Sequence, residues 1–450
     1  MNIASCARDS WVGLTLGVAM AIGLGACRAN DLLSSPVPTT VIDPSSLKGR
    51  QGAEALRAGV IIQFNRAFAG GGETHGIAVE SGLLGDEFTN VPTPLGPPDP
   101  ADRRLELDNL RVTYRGSDGA VTALQTARLQ AELAIPVFRA ATFKPPRWEI
   151  AQLFAMDAYT ELLIAEDYCA GIPLSTTDPA GHIQYGIPLP ADSVFARAVA
   201  LFDSALHYAT DSAPVAGLAS VGQARALLDL GDFVGADAAL AHAPPSFVYT
   251  ADFDPSKDPS VYSQLGAGTR AFTMSDREGG NGLPFRSSGD PRTPYSVNPS
   301  PFGPDTVDLP LAFGPDGTPV PIASSVEAQL IRAEAALSRG DVTAWLDTLN
   351  ALRGGEGGVQ GLAPLSDPGT PAARVDTMFT ERAYWLFGTA HRLGDLRRLI
   401  RQYGRQPETV FPTGPYAGPR GGAYGTDVNF PFPVNERNNP NFHGCLNRAA

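Results

Sequence analysis

Two stretches of this chain turn in the same way, and that repetition constrains the fold more than any other feature. Val221 to Leu230 has the apolar spacing of a helix, Gly231-Asp232 interrupts it, and Phe233 to Ala243 resumes it. Val326 to Arg339, Gly340-Asp341 and Val342 to Leu352 repeat the arrangement. Both first helices are rich in small residues, and both second helices place a Leu nine residues after the Gly, Leu240 and Leu349. Alanines let helices approach closely. A lone pair leaves apolar faces uncovered, so neighbours must stack on it.

Such a pair resembles a tetratricopeptide unit. Other segments supply neighbours. Asp43-Pro44-Ser45-Ser46 reads as a helix start. Leu56, Val60, Phe64 and Phe68 follow at helical spacing, and Gly70-Gly71-Gly72 ends the run. Leu83 to Arg103 reads as loop. Thr122 to Ala141, Trp148 to Tyr168 and Ser193 to Tyr208 read as helices. Pro244 to Ser324 is a long tract of Pro, Gly, Ser and aromatics, with short strands expected at Thr269 to Thr273 and Thr306 to Ala312.

Composition excludes several functions. The net charge of -13 and the presence of only three lysines, Lys48, Lys144 and Lys257, argue against nucleic acid and against a polybasic membrane surface. The 48 glycines and 40 prolines sit beside a globular hydrophobic share of 43%, which places them in ordered loops. There is no phosphate-binding loop and no nucleophile elbow. The six histidines are scattered, with none at a metal-helix spacing. No cofactor, metal or catalytic residue is expected, and the protein reads as a non-enzyme.

The apolar stretch from Trp11 ends in Gly23-Leu24-Gly25-Ala26-Cys27, after a start whose only side-chain cation is Arg8. This is the layout of a secretory signal, and Leu-Gly-Ala-Cys resembles the bacterial lipobox. By that resemblance residues 1–26 are removed, Cys27 carries the lipid, and 27–42 form a tether. The run is too short to span a bilayer with margin. Beyond Cys27 only Cys169 and Cys445 remain, and two cysteines in an exported chain predict one disulfide.

Further landmarks fall in order along the chain. A long helix leads into Gly171-Ile172-Pro173-Leu174. Gly289-Asp290-Pro291-Arg292 lies in the loop tract. Glu327 to Ala335 reads Glu-Ala-Gln-Leu-Ile-Arg-Ala-Glu-Ala. Glu381-Arg382, His391-Arg392 and Asp395-Leu396-Arg397-Arg398 follow, and Phe430 to Pro440 closes with Phe-Pro-Phe-Pro-Val-Asn-Glu-Arg-Asn-Asn-Pro. Together with Cys27, this series resembles the RagB/SusD family of nutrient-uptake outer-membrane lipoproteins. The chain departs from the family pattern at Trp385 and Thr389, where glutamates are usual, and at Ala390, where Gly is usual.

The resemblance implies a mainly α fold: a tetratricopeptide-like scaffold of about four helix pairs with an irregular loop-rich ligand-binding part. The pairs fall roughly at 148–208, 220–243, 325–353 and 374–402 in a single body, 43–450, with a loop-rich insertion at 244–324 and a tail at 403–450. It implies a lipid-anchored, surface-exposed outer-membrane protein that captures an oligosaccharide or peptide and delivers it to a SusC-like TonB-dependent β-barrel transporter. The competing reading is a lipid-anchored tetratricopeptide scaffold for envelope assembly. Asp290, Arg292, Glu327, Arg332, Glu334, Glu381, Arg382, His391, Arg392, Asp395 and Arg398 are implied to be structural. Ligand contacts are expected in two tracts, Gly72 to Pro94 (His75, Asp86, Glu87, Phe88) and Phe272 to Phe302 (Arg277, Asn281, Phe285, Arg286, Tyr295). Flat apolar faces beside planar hydrogen-bonding groups suit sugars, and an Arg fork suits a carboxylate.

Overall fold

Helix packs on helix for most of the chain. In order these are α1 (Arg50–Ala69), α2 (Ile77–Leu84), α3 (Gly119–Arg139), α4 (Arg147–Asp167), α5 (Ala191–Tyr208), α6 (Ala213–Asp229), α7 (Phe233–Ala239), α8 (Ser325–Ser338), α9 (Val342–Ala351), α10 (Pro371–Trp385), α11 (Arg392–Arg401) and α12 (Pro407–Val410). The computed structural model describes residues 49–70, 76–91, 101–104, 119–178, 181–254, 272–300, 306–310, 318–416 and 421–450, all within one unit, Gly49–Ala450. The leader, Cys27, the tether, the helix start at Asp43 and His75 lie outside the described residues.

The twin turns have one physical cause. Gly231 and Gly340 adopt φ of +78° and +76°, the left-handed conformation that ends a helix and that only Gly takes without strain. The following Asp then caps the next helix: Asp232 accepts from Gly235 N at 2.8 Å, and Asp341 accepts from Ala344 N at 3.0 Å. The first helix of the earlier pair starts at Ala213, well before Val221, because Pro214 occupies its first turn and opens it rather than interrupting it. Close approach is visible at Gly222 in α6, where a Cβ would lie 2.3 Å from Phe202 and 2.8 Å from Tyr159.

The helices pack in a chain of neighbours. α1 lies on α3, α3 on α4, α4 on α5, α5 on α6, α6 on α7, α7 on α8, and α8 on both α9 and α10. This is a tetratricopeptide-like stack. α4 is buried on every side from Glu149 to Asp167, so it is the axis of the core, and its polar residues require internal partners. α11 packs on α2 and α4. Arg397 from α11 donates to the carbonyls of Ala165 and Tyr168 at 3.2 Å each, and also to that of Glu166, satisfying the open end of α4.

Among the described residues, five two-stranded antiparallel sheets decorate the scaffold. The strands are β1 (Phe88–Asn90), β2 (Ile172–Pro173), β3 (Thr176–Thr177), β4 (Ile183–Gln184), β5 (Pro188–Leu189), β6 (Val248–Ala251), β7 (Phe272–Met274), β8 (Tyr295–Pro299), β9 (Thr306–Pro310) and β10 (Val320–Ser324). β6 pairs with β10, closing the long insertion at its root before Ser324 caps α8. The region expected as loop over Leu83 to Arg103 holds the end of α2 and all of β1 instead. At the other end, Phe430 N donates to Asp167 O at 2.9 Å and Cys169 N donates to Phe430 O at 2.8 Å. Cys169 and Cys445 form a disulfide across a separation of 276 residues, with Cα atoms 5.8 Å apart. Among the described residues, no helix is long and apolar enough to cross a membrane.

Candidate ligand-binding site

The two tracts expected to carry ligand contacts meet. β1 pairs with β7, Phe88 opposite Met274, and Ser275 N donates to Glu87 O at 2.9 Å. β8 pairs with β9, Tyr295 opposite Pro310. The Thr273 hydroxyl joins β7 to β9, accepting from Asp308 N at 2.8 Å and donating to Asp308 O at 3.2 Å. Residues distant in sequence thus form one stitched layer.

Burial divides the named residues. Asp86, Glu87, Phe88 and Phe285, expected at the ligand, are buried and fasten the layer to the scaffold. Asp86 accepts from Arg392 Nη2 at 2.9 Å and from Leu283 N at 2.8 Å. Glu87 accepts from Gly388 N at 3.0 Å. Burial pushes its carboxyl up to about 8, against the opposing effects of the Gly388 N–H and Arg392. Phe88 packs edge-on to Phe387 at 5.4 Å, and Phe285 lies 4.9 Å from Phe387 and 5.2 Å from Tyr384.

The remaining four are accessible. Arg277 is exposed, at φ +53°. Asn281 is exposed and donates to Phe411 O at 2.6 Å. Arg286 is half-buried and pairs with Asp308. Tyr295 is 37% exposed. An arginine fork, an amide and an aromatic ring therefore remain on the layer, the chemistry of sugar or carboxylate recognition.

Beneath lies a network of buried charges. Arg292 bonds Asp290 (2.7 Å) and Glu381 (2.8 Å), with its guanidinium 4.9 Å from the Tyr384 ring and 5.0 Å from the Trp385 ring. Trp385 in turn donates from Nε1 to Glu381 at 3.2 Å, so this departure from the family pattern joins the same network. Arg382 bonds Asp395 at 2.8 Å, Arg398 bonds both Asp395 (3.2 Å) and Glu334, and Arg332 donates to Leu240 O at 3.1 Å. Burial alone would raise the Asp395 carboxyl; Arg382 and Arg398 outweigh it and hold it low. His391 is kept neutral by burial and by Arg225, which lies 2.9 Å from Nε2, with Glu327 Oε1 3.0 Å from the same nitrogen. Arg225 and its partner Glu166 carry no motif and were not among the residues expected to matter. The signal was a lone Arg inside the Ala-rich run Gln223-Ala224-Arg225-Ala226.

Openings lined by described residues flank this body. One, of about 230 Å³, is a mainly apolar cleft between β10 and the end of α10, with Trp385, Ile322 and Arg292 in its wall. Another, of about 330 Å³, runs between α3, β3–β4 and the turn Val434–Asn438. Among the described residues, one carboxylate cluster has ligand-like spacing: oxygens of Glu132, Asp157 and Glu161 lie within 4.8 Å of one another. Arg128 already binds Glu132 at 2.7 Å and Arg197 binds Glu161 at 2.8 Å. Burial, with the two glutamates, pushes the Asp157 carboxyl well up. Two arginines and one proton balance three carboxyls without a metal.

Comparison with known proteins gives the fold. No protein-family model matches the sequence, and no curated protein matches it. Solved structures do. Surface glycan-binding protein A from Bacteroides uniformis is 14% identical, with 87% of this chain and 99% of that one covered at a TM-score of 0.63. A SusD superfamily protein from Parabacteroides distasonis is 13% identical over 88% and 98%, also at 0.63. A SusD-like carbohydrate binding protein from Bacteroides vulgatus is 14% identical over 88% and 98%, at 0.60. The chain has the fold of the SusD superfamily over nearly its whole length.

Proposed function

We propose that this chain is a lipid-anchored outer-membrane binding protein that captures a nutrient, an oligosaccharide before a peptide, and delivers it to a SusC-like TonB-dependent β-barrel transporter. It has no catalytic role in this reading. The observation that carries the reading is the whole-chain likeness to SusD-superfamily structures, two of which are described as binding glycan or carbohydrate. The stitched layer on the scaffold supports it. A bare tetratricopeptide scaffold has no use for an insertion folded into strands and braced by Arg292 and Arg392. Mature protein begins at Cys27, with 27–42 as tether and 43–450 as body.

Two results test this. Cys27→Ser removes the lipid attachment and is expected to shift the protein from the membrane fraction to the soluble envelope fraction, since stable anchoring needs two or more acyl chains. A Ser variant that stays with membranes after a high-salt wash refutes the anchor. Arg286→Ala with Tyr295→Ala is expected to weaken capture about tenfold or more, with unchanged helical circular dichroism. Equal capture by this double variant removes the layer as the ligand surface. Co-purification from detergent extracts reads out the barrel partner directly.

A further inference from the structure

We propose that the groove between α3, the β3–β4 hairpin and the turn Val434–Asn438 is a second binding site, and that it takes a neutral oligosaccharide. The ligand class rests on the function proposed above; the site itself rests on the groove. At about 330 Å³ it holds one to two sugar rings and opens to solvent.

Its walls are fixed before any ligand arrives. On the α3 side, Gln125 Nε2 donates to Pro173 O at 3.0 Å, and Arg128 donates to Gln125 at 2.9 Å, to Glu132 at 2.7 Å and to the Ser175 carbonyl. The hairpin is closed by Thr176 opposite Gln184 and Thr177 opposite Ile183, and Gly186 N donates to Ser175 Oγ at 3.1 Å. The C-terminal tail is sewn to the hairpin by Asn439 Nδ2 on Gly186 O (2.8 Å) and Asn441 Nδ2 on Tyr185 O (3.2 Å). A site built this way orders little on binding, which lowers the entropic cost of a weakly held ligand.

The lining chemistry selects the ligand. Tyr185 is 44% exposed and Ile183 57% exposed, an aromatic face and an apolar edge left in water by a fold that buries most of its large side chains. The amide of Asn438 and the hydroxyl of Thr122 line the groove from the other elements, and the hydroxyl of Thr177 lines it from the strand paired with Ile183. Rings that stack and groups that both donate and accept match the two sides of a pyranose. Charge then sets the sign. Among the described lining residues the one cation, Arg128, is buried and already committed to Glu132, whereas Glu436 on the turn Val434–Asn438 adds a carboxyl. A uronic or sialic acid meets repulsion there, and a neutral glycan does not.

The test uses the full chain. Neutral α-glucan, β-glucan, xylan and mannan hexasaccharides are arrayed beside hexagalacturonate, and the best neutral ligand is titrated by calorimetry. The Arg286→Ala, Tyr295→Ala variant serves as background, so that binding at the stitched layer is weakened first. That variant is expected to retain one site for a neutral hexasaccharide, and adding Tyr185→Ala with Asn438→Ala is expected to weaken it at least about tenfold without changing the melting curve. Loss of all binding in the background variant overturns the groove and leaves the proposed function standing. Unchanged affinity after the Tyr185 and Asn438 changes overturns the groove, as does a preference for hexagalacturonate. Loss of barrel co-purification with glycan affinity intact reassigns the groove as a partner surface and overturns it too. Failure of the wild-type chain to bind any neutral hexasaccharide overturns the groove and the carbohydrate reading together.

Discussion

Arg225→Met is expected to destabilise the folded chain by about 3–5 kcal/mol, the range for breaking a buried ion pair from one side. Arg225 is 3% exposed, and its Nε and Nη2 donate to the two oxygens of Glu166 at 2.6 Å each. Nη1 reaches His391 at 2.9 Å, and Nη2 also donates to the Ala390 carbonyl. The one guanidinium therefore ties α4, α6 and the turn before α11 together. Glu166 and Glu327 hold Arg225 charged against its burial. Methionine fills a similar volume and supplies none of these donors, so the buried Glu166 loses both of its guanidinium bonds. The loss should appear as a lower urea midpoint with an unchanged slope. Glu166→Gln in the Arg225→Met background should restore part of it, because the stranded carboxyl is then gone. A loss below about 1 kcal/mol, the size expected of an exposed pair, contradicts the reading that this network holds the stack.

That network also marks how far sequence could lead. The Gly-Asp turns were legible because each residue has a local reason to be there: Gly takes positive φ, and Asp caps the next helix. α2 was not legible. All eight of its residues are buried, so no polar face gives it a helical period. Its Glu80 accepts from Ala120 N at 3.0 Å, holding the start of α3, a partnership that no local pattern announces. The candidate surface divides in the same way. Phe285 and Tyr295 are both aromatic and lie ten positions apart in one tract. Which of them enters the core is decided by long-range partners, Phe387 and Tyr384 for Phe285, and β9 for Tyr295. Asp86 resembled a ligand group until Arg392, 306 residues away, claimed both of its oxygens. The tracts read as loops in the sequence, yet the first holds α2 and β1 and the second holds β7 and β8. Separating frame from exposed face required the non-local pairing of β1 with β7.

Cys169→Ser with Cys445→Ser is expected to cost about 2–5 kcal/mol, the range for removing a native disulfide from a small secreted domain. Loop entropy alone places the figure near the top of that range, because the bridge closes 276 residues. Local contacts argue for a value below the top. The tail is also held by Leu446 N on Ala170 O at 2.8 Å, by Asn429 Nδ2 on the carbonyls of Arg448 (3.0 Å) and Ala449 (2.7 Å), and by the strand-like contact of Tyr168 with Phe430. These survive in the Ser variant and keep the tail seated in the native state. The loss therefore falls mainly on the denatured ensemble, which gains the freedom that the bridge had removed. Two measurements separate the alternatives. Urea denaturation should give a lower midpoint and, because a freed chain exposes more surface, a steeper slope. Hydrogen exchange in residues 430–450 should rise no more than in the rest of the core if the effect lies in the denatured state; a rise confined to that tail would mean that the bridge acts locally, as a clamp on the groove wall. Mass analysis of the mature protein under non-reducing conditions fixes the premise, since two free thiols would remove the bridge and its contribution together.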